Sequence, residues 1–283
     1  MATNYDQPLD KGVVAAGLTA MALPGDIVSK ILKSLGGGSV DVAAFDSAPT
    51  GAGIHGNDLI MVNTGGTVDL SSISKGDIKG VDAFVFNTND DVRFDLTGPN
   101  TKDFKGVITT GGGNDSIEAN SKKGMTISSG DGDDSVTTGT GKDNVNLGAG
   151  NDSISTGKGN DTVSTGAGND SVNTGAGNDK VFVGSGNDTV NTGVGNDTVK
   201  FDSGFIGNAQ LNGGAGNDKL DLSNVVINNV TQNGAGLTIS LDNGNNADSV
   251  VTVTNFEKFI YDSNGDADGG IVTVGVNPFD ATF

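Results

Sequence analysis

The chain has 283 residues, of which 47 are glycine and only 34% are apolar, with no tryptophan and no cysteine. Glycine loses the most backbone freedom on folding, so two conventional hydrophobic cores are excluded and something besides apolar burial must offset the ordering entropy. The missing cysteine excludes disulfides and thiol chemistry. A formal charge of −19, from 35 acidic against 16 basic residues, argues against nucleic acid and anionic membranes as partners and suits a polycation or a set of metal ions.

Residues 1–38 read as a partly helical N-terminal segment. The longest apolar stretch, Val13 to Leu23, is 11 residues long and stops at Pro24-Gly25, well short of the roughly 20 that a membrane span needs. Lys11 before it and Ala20-Met21-Ala22 at its end give a faint likeness to a secretory leader. Asp6 and Asp10 oppose that reading, so a short helix is expected. A second helix, from Asp26 to Leu35, would place Ile27, Ile31, Leu32 and Leu35 on one face before Gly36-Gly37-Gly38 stops it. That face suits either a cap over the open end of a solenoid or a contact with a neighbouring subunit.

Residues 39–109 alternate short apolar runs with turns: Leu59 to Val62, Thr67 to Leu70, Ala83 to Phe86 and Val92 to Phe94. They are expected to be strands that begin or extend a solenoid. Asp58 sits in a stray turn, Gly56-Asn57-Asp58, where either a bound ion or plain solvation fits. His55 is the only histidine. A lone histidine makes no zinc site, and no serine or aspartate spacing recommends it as a catalytic base. No catalytic constellation appears elsewhere, so an enzyme is not expected.

Residues 110–221 are repetitive. Eight nine-residue units run without a gap from Ser129 to Lys200: SGDGDDSVT, TGTGKDNVN, LGAGNDSIS, TGKGNDTVS, TGAGNDSVN, TGAGNDKVF, VGSGNDTVN and TGVGNDTVK. Two outliers match, TGGGNDSIE from Thr110 and GGAGNDKLD from Gly213. Two decayed units lie between. Asn120 to Ser128 keeps Ile127 but has Met125 at the aspartate position. Gly204 to Asn212 keeps Leu211 but has Ala209 there. The β-branched position (Ile117, Val136, Val145, Ile154, Val163, Val172, Val181, Val190, Val199, with Leu220) suits a short strand. One inward residue per unit implies one strand and one turn. Two units then close an 18-residue coil, with strands stacked in two parallel sheets and neighbouring coils about 4.8 Å apart.

Residues 222–283 read as a β end-domain. Leu237 to Leu241 and Val250 to Thr254 can pair across the loop from Asp242 to Asp248. Asp262, Asn264, Asp266 and Asp268 alternate in a later loop. Neither the glycine nor the closing glutamate of an EF-hand is present in any register, which leaves an irregular cation site or a plain acidic turn.

The nonapeptide, G-G-x-G-x-D-x-U-x, resembles the repeat of the RTX (repeats-in-toxin) family over about 40% of the chain. Val253 to Phe259 is also similar to segments that close such rolls. The resemblance implies an all-β fold: a right-handed parallel β-roll with a small N-terminal cap and a β C-terminal end-domain. It also implies calcium, held between turns two units apart by an aspartate from each turn and by carbonyls of the Gly-x-Gly segments. One side carries Asp115, Asp134, Asp152, Asp170 and Asp188. The other carries Asp143, Asp161, Asp179, Asp197 and Asp218. The glycines concerned are Gly148, Gly150, Gly157, Gly159, Gly166, Gly168, Gly175, Gly177, Gly184, Gly186, Gly193 and Gly195. Adjacent pairs give about eight Ca²⁺, and their charge would leave the protein near −3, about +16 against −19. The pairs Asp115/Asp134 and Asp197/Asp218 are spaced 19 and 21 residues apart instead of 18.

Without metal the stacked aspartates repel one another, so folding and metal binding should be one event. Resemblance to the family also implies secretion by the type I route, unfolded in calcium-poor cytosol and folded outside. The tail from Asn277 to Phe283 weakly resembles such a secretion signal. The expected role is that of an extracellular structural protein that self-assembles as a homo-oligomer or polymer, in a surface layer, filament or matrix. Uniform small outward residues (Ser135/Thr137, Ser153/Ser155, Ser171/Asn173, Thr189/Asn191) favour stacking. The opposite face carries Lys180, Phe182 and Lys200. The alternative is an adhesin for cell-surface polysaccharide, for which aromatic platforms are scarce.

Overall fold

The computed structural model describes residues 59–73, 75–234, 236–242 and 249–261, with short pieces at 3–4, 9–10, 18, 28–29, 31, 39–40, 42–45 and 270–273. The expected helical face at Ile27, Leu32 and Leu35 and the acidic loop at Asp262, Asn264, Asp266 and Asp268 lie outside the described residues, as do His55 and Asp58. Ile31 is helical and buried. The fold is all-β, a parallel β-solenoid. Among the described residues no helix is long and apolar enough to cross a membrane. Two compact units, Met1–Leu147 and Gly148–Phe283, divide the chain within the repeat.

In the first unit the strands form two parallel rows. One row is Leu59–Val62, Ala83–Phe86, Val107–Thr109 and Thr126–Asp131. The other is Gly66–Asp69, Val92–Asp95, Ser116–Ala119 and Ser135–Thr138. The four apolar runs expected between residues 39 and 109 are therefore strands of the solenoid. Their coils carry large side chains. Phe84 packs against Phe94 and Phe104 at 4.9 and 5.8 Å between ring centroids, and Phe86 packs against Phe94 at 5.6 Å. Burying each ring contributes about 1.5–3 kcal/mol, so this part of the unit has an ordinary apolar interior.

In the second unit one row is Thr162–Ala167, Lys180–Val183, Thr198–Phe201, Lys219–Asp221 and Lys258–Tyr261. The other is Ser153–Ser155, Ser171–Asn173, Thr189–Asn191, Ala209–Asn212 and Ser249–Thr254. Pairing is in register at an 18-residue offset, Val163 with Val181 and Val172 with Val190. Three antiparallel additions finish the unit. Gly236–Asp242 pairs with Ser249–Thr254 as expected, Val226–Asn233 pairs outside it, and Gly270–Thr273 pairs with Lys258–Tyr261. The residues inserted after Phe201 form a turn in which the Phe201 and Phe205 rings meet at 4.5 Å.

One expectation needs correcting: each unit contributes two inward residues, not one. Side chains alternate along a strand, so the residue two places after the β-branched position also faces in. It is Leu147, Thr156, Thr165, Thr174, Val183, Thr192 or Phe201, each buried. The threonines remain satisfied there because their hydroxyls donate to the next coil: Thr156 to the Thr174 carbonyl, Thr174 to the Thr192 carbonyl and Thr192 to the Gly213 carbonyl, at 2.8–2.9 Å. Thr165 instead accepts the Gly184 N–H at 3.0 Å, so these hydroxyls cost little because each finds a partner one coil on.

Candidate metal centres

Every repeat turn ends on its aspartate, one residue before a strand begins, so the strand register fixes where each carboxylate goes. All ten expected aspartates are buried. Within the first unit the Asp115 N–H donates to Asp134 Oδ1 at 2.8 Å. Within the second, Asp152 donates to Asp170, Asp170 to Asp188, Asp161 to Asp179, Asp179 to Asp197 and Asp197 to Asp218, at 2.8–2.9 Å. The pairs with irregular spacing, Asp115/Asp134 and Asp197/Asp218, keep the same bond, since their extra residues are absorbed away from the turn. Met125 takes the aspartate position and its N–H likewise donates to Asp143 Oδ1.

One oxygen of each carboxylate is thus used by the backbone, and the second is left over. Oδ2 of Asp115, Asp170, Asp179, Asp188, Asp197 and Asp218 is buried with no hydrogen-bond partner. A buried carboxylate oxygen without a donor costs free energy unless a cation meets it. Asp143 differs, for Thr138 Oγ1 donates to its Oδ2 at 2.6 Å. The environment resists charge. Burial pushes the carboxyls of Asp115, Asp170, Asp188 and Asp218 up to about 6 and raises those of Asp134, Asp143, Asp179 and Asp197.

The glycines bring carbonyls into the same turns. Gly177 has φ 149°, and a methyl group there would fall 1.4 Å from the Gly159 carbonyl oxygen. Gly168 would likewise meet the Gly150 carbonyl at 1.9 Å. Only a residue without Cβ lets successive turns approach so closely. Of the twelve expected glycines, Gly184 alone lacks a positive φ, and its N–H is held by Thr165 Oγ1 at 3.0 Å.

Hard oxygen donors in irregular geometry fit Ca²⁺, which takes six to eight of them. Among the described residues no three Asp, Glu or His side chains converge. Carbonyls must therefore complete any coordination shell, as the crowded glycine turns allow. Within each unit the repeat aspartates follow one another a coil apart, beside the glycine turns.

A further set of contacts was missed. In the second unit the asparagine before the repeat aspartate forms an exposed ladder of opposite sense: Asn169 N–H donates to Asn151 Oδ1, Asn187 to Asn169 and Asn178 to Asn160, at 2.8–2.9 Å. Its signal was the recurring Asn-Asp pair. The turn before the first nonapeptide, Thr88 to Val92, also stacks on the repeat: Asn114 N–H donates to Asp91 Oδ1 and Val92 N–H to Asp115 Oδ1. It carries no glycine signature to reveal it.

The family model of the RTX calcium-binding nonapeptide repeat (4 copies) matches residues 128–163, 164–199 and 203–223, about a third of the chain. No curated protein and no solved structure matches.

Proposed function

We propose that this chain, whose middle matches the RTX calcium-binding nonapeptide repeat, is a secreted structural protein that folds on meeting calcium and then assembles with copies of itself. The observation that carries the calcium step is the row of buried Oδ2 atoms without donors. Bound between turns, about eight Ca²⁺ would supply the positive charge these oxygens lack. The ten repeat aspartates from Asp115 to Asp218 would hold the ions, with carbonyls of the glycine turns beside them. Until the ions arrive, like charges oppose stacking, so the chain stays extended where calcium is scarce and closes where it is plentiful.

Self-assembly is supported by the outward surface of the second unit. Ser153, Ser171 and Thr189 stand in register on one row, with Ser155, Asn173 and Asn191 beside them. A flat face of small polar residues suits stacking against a like face in a surface layer, filament or matrix. Electron microscopy of purified protein with and without calcium tests this. Ordered filaments or sheets that vanish in chelator are expected. Dispersed particles with affinity for polysaccharide would instead favour an adhesin.

A further inference from the structure

The aspartate ladder of the second unit does not stop at the last repeat. Asp218 N–H donates at 2.7 Å to Glu257 Oε2, the bond that the Asp161, Asp179 and Asp197 N–H groups on the same side make to the aspartate one coil on. Lys219 pairs in register with Lys258, so Glu257 occupies the position an aspartate would hold in the next coil. The turn leading to it is short. Three residues, Asn255 to Glu257, separate the strands Ser249–Thr254 and Lys258–Tyr261, against six, Thr156 to Asp161, in a repeat turn. Asn255, at φ 56°, makes the sharp bend.

Oxygen atoms converge beside Gly213. A methyl group on Gly213 would lie 2.1 Å from the Asn255 carbonyl oxygen and 2.9 Å from Asp218 Oδ2. Asp218 is fully buried, its Oδ1 is taken by the Asp197 N–H, and its Oδ2 has no hydrogen-bond partner. A hydrogen-bonded end cap would not need a second carboxylate here, since a carbonyl or an amide would accept the Asp218 N–H without repelling its side chain.

We propose that Asp218, Glu257 and the Asn255 carbonyl form one more calcium site, closing the roll outside the repeat. It rests on the calcium reading of the repeat turns but uses a residue that no nonapeptide contains. It also makes the C-terminal β hairpins part of the metal-binding body, because Glu257 lies between the strands that carry them.

The test uses the full chain. E257Q keeps an acceptor for the Asp218 N–H and removes only the charge. Bound calcium per chain, measured by elemental analysis after equilibrium dialysis, should fall by one ion relative to wild type, with the circular-dichroism spectrum in saturating calcium unchanged. Equal ion counts in the two proteins would overturn the proposal and leave Glu257 as a cap. A wild type that binds no calcium would overturn the reading of the repeat itself, a distinct outcome. Anomalous diffraction at calcium on wild-type crystals needs no variant. A peak about 2.3–2.6 Å from Asp218 Oδ2 and a Glu257 oxygen is expected, and peaks in the repeat turns with none there would refute the site.

Discussion

The backbone N–H of Asp170 donates at 2.9 Å to the side chain of Asp188, eighteen residues on. That bond holds the Asp188 carboxylate rigid and turns its other oxygen into a buried space without donors. One oxygen of the Asp188 carboxylate thus belongs to the frame, and the other is left open to a cation.

Exchanging Asp170 for asparagine separates these two uses. D170N retains an oxygen to accept the Asp152 N–H, yet it should lose about two of roughly eight ions, because Asp170 belongs to two adjacent pairs. Its midpoint for thermal unfolding should drop in calcium. In chelator it should stay level or rise, because a buried uncompensated carboxylate has been removed. Thermal melts followed by circular dichroism, in both conditions, check the sign reversal.

Acid should mimic calcium in part. The carboxyls of Asp115, Asp170, Asp188 and Asp218 sit near 6 in the folded state against an ordinary 3.8. The folded form therefore binds more protons than the unfolded form between about pH 4 and 6, and stability falls as pH rises through that window. In chelator, β structure should increase as pH is lowered from 7 to 4. In limiting calcium the direction reverses, since protons displace the ion, and affinity measured by calorimetry should weaken below pH 6.

Glycine substitutions should divide by position. Gly177→Ala places a methyl group 1.4 Å from the Gly159 carbonyl oxygen at a φ of 149°, so it should cost well above the 1–3 kcal/mol of backbone strain alone and disrupt the adjacent turns. Gly204→Ala, with φ 82° and nothing within 4 Å, carries only the strain. Chemical denaturation in calcium would compare the two.

The first unit gives the converse control. Phe84 is fully buried among Phe94 and Phe104. Phe84→Ala should destabilise by about 3–5 kcal/mol, with the calcium count of the repeat turns unchanged.

The repeat turns and their partners were legible in the sequence because the constraint there is local and periodic: a glycine for each close approach, an aspartate for each cation, a β-branched residue for each strand. Thr156, Thr174 and Thr192 were equally periodic, but their polarity disguised an inward position that a hydroxyl-to-carbonyl ladder makes tolerable. Val226–Asn233 was missed because an edge strand exposed over most of its length shows little apolar alternation. Glu257 lies 39 residues from the aspartate it serves, so no spacing rule could connect them.

The direction of the ladder has a consequence for how the chain comes into being. In the second unit the amides of Asp152, Asp161, Asp170, Asp179, Asp197 and Asp218 each wait for a carboxylate that comes later in the chain, the last of them Glu257. A polypeptide emerging from its N-terminus, on a ribosome, always lags one coil behind completion. One entering a new compartment with its C-terminus first brings the terminal acceptor ahead of everything that depends on it, and can lock coil upon coil behind it as a ratchet against sliding back.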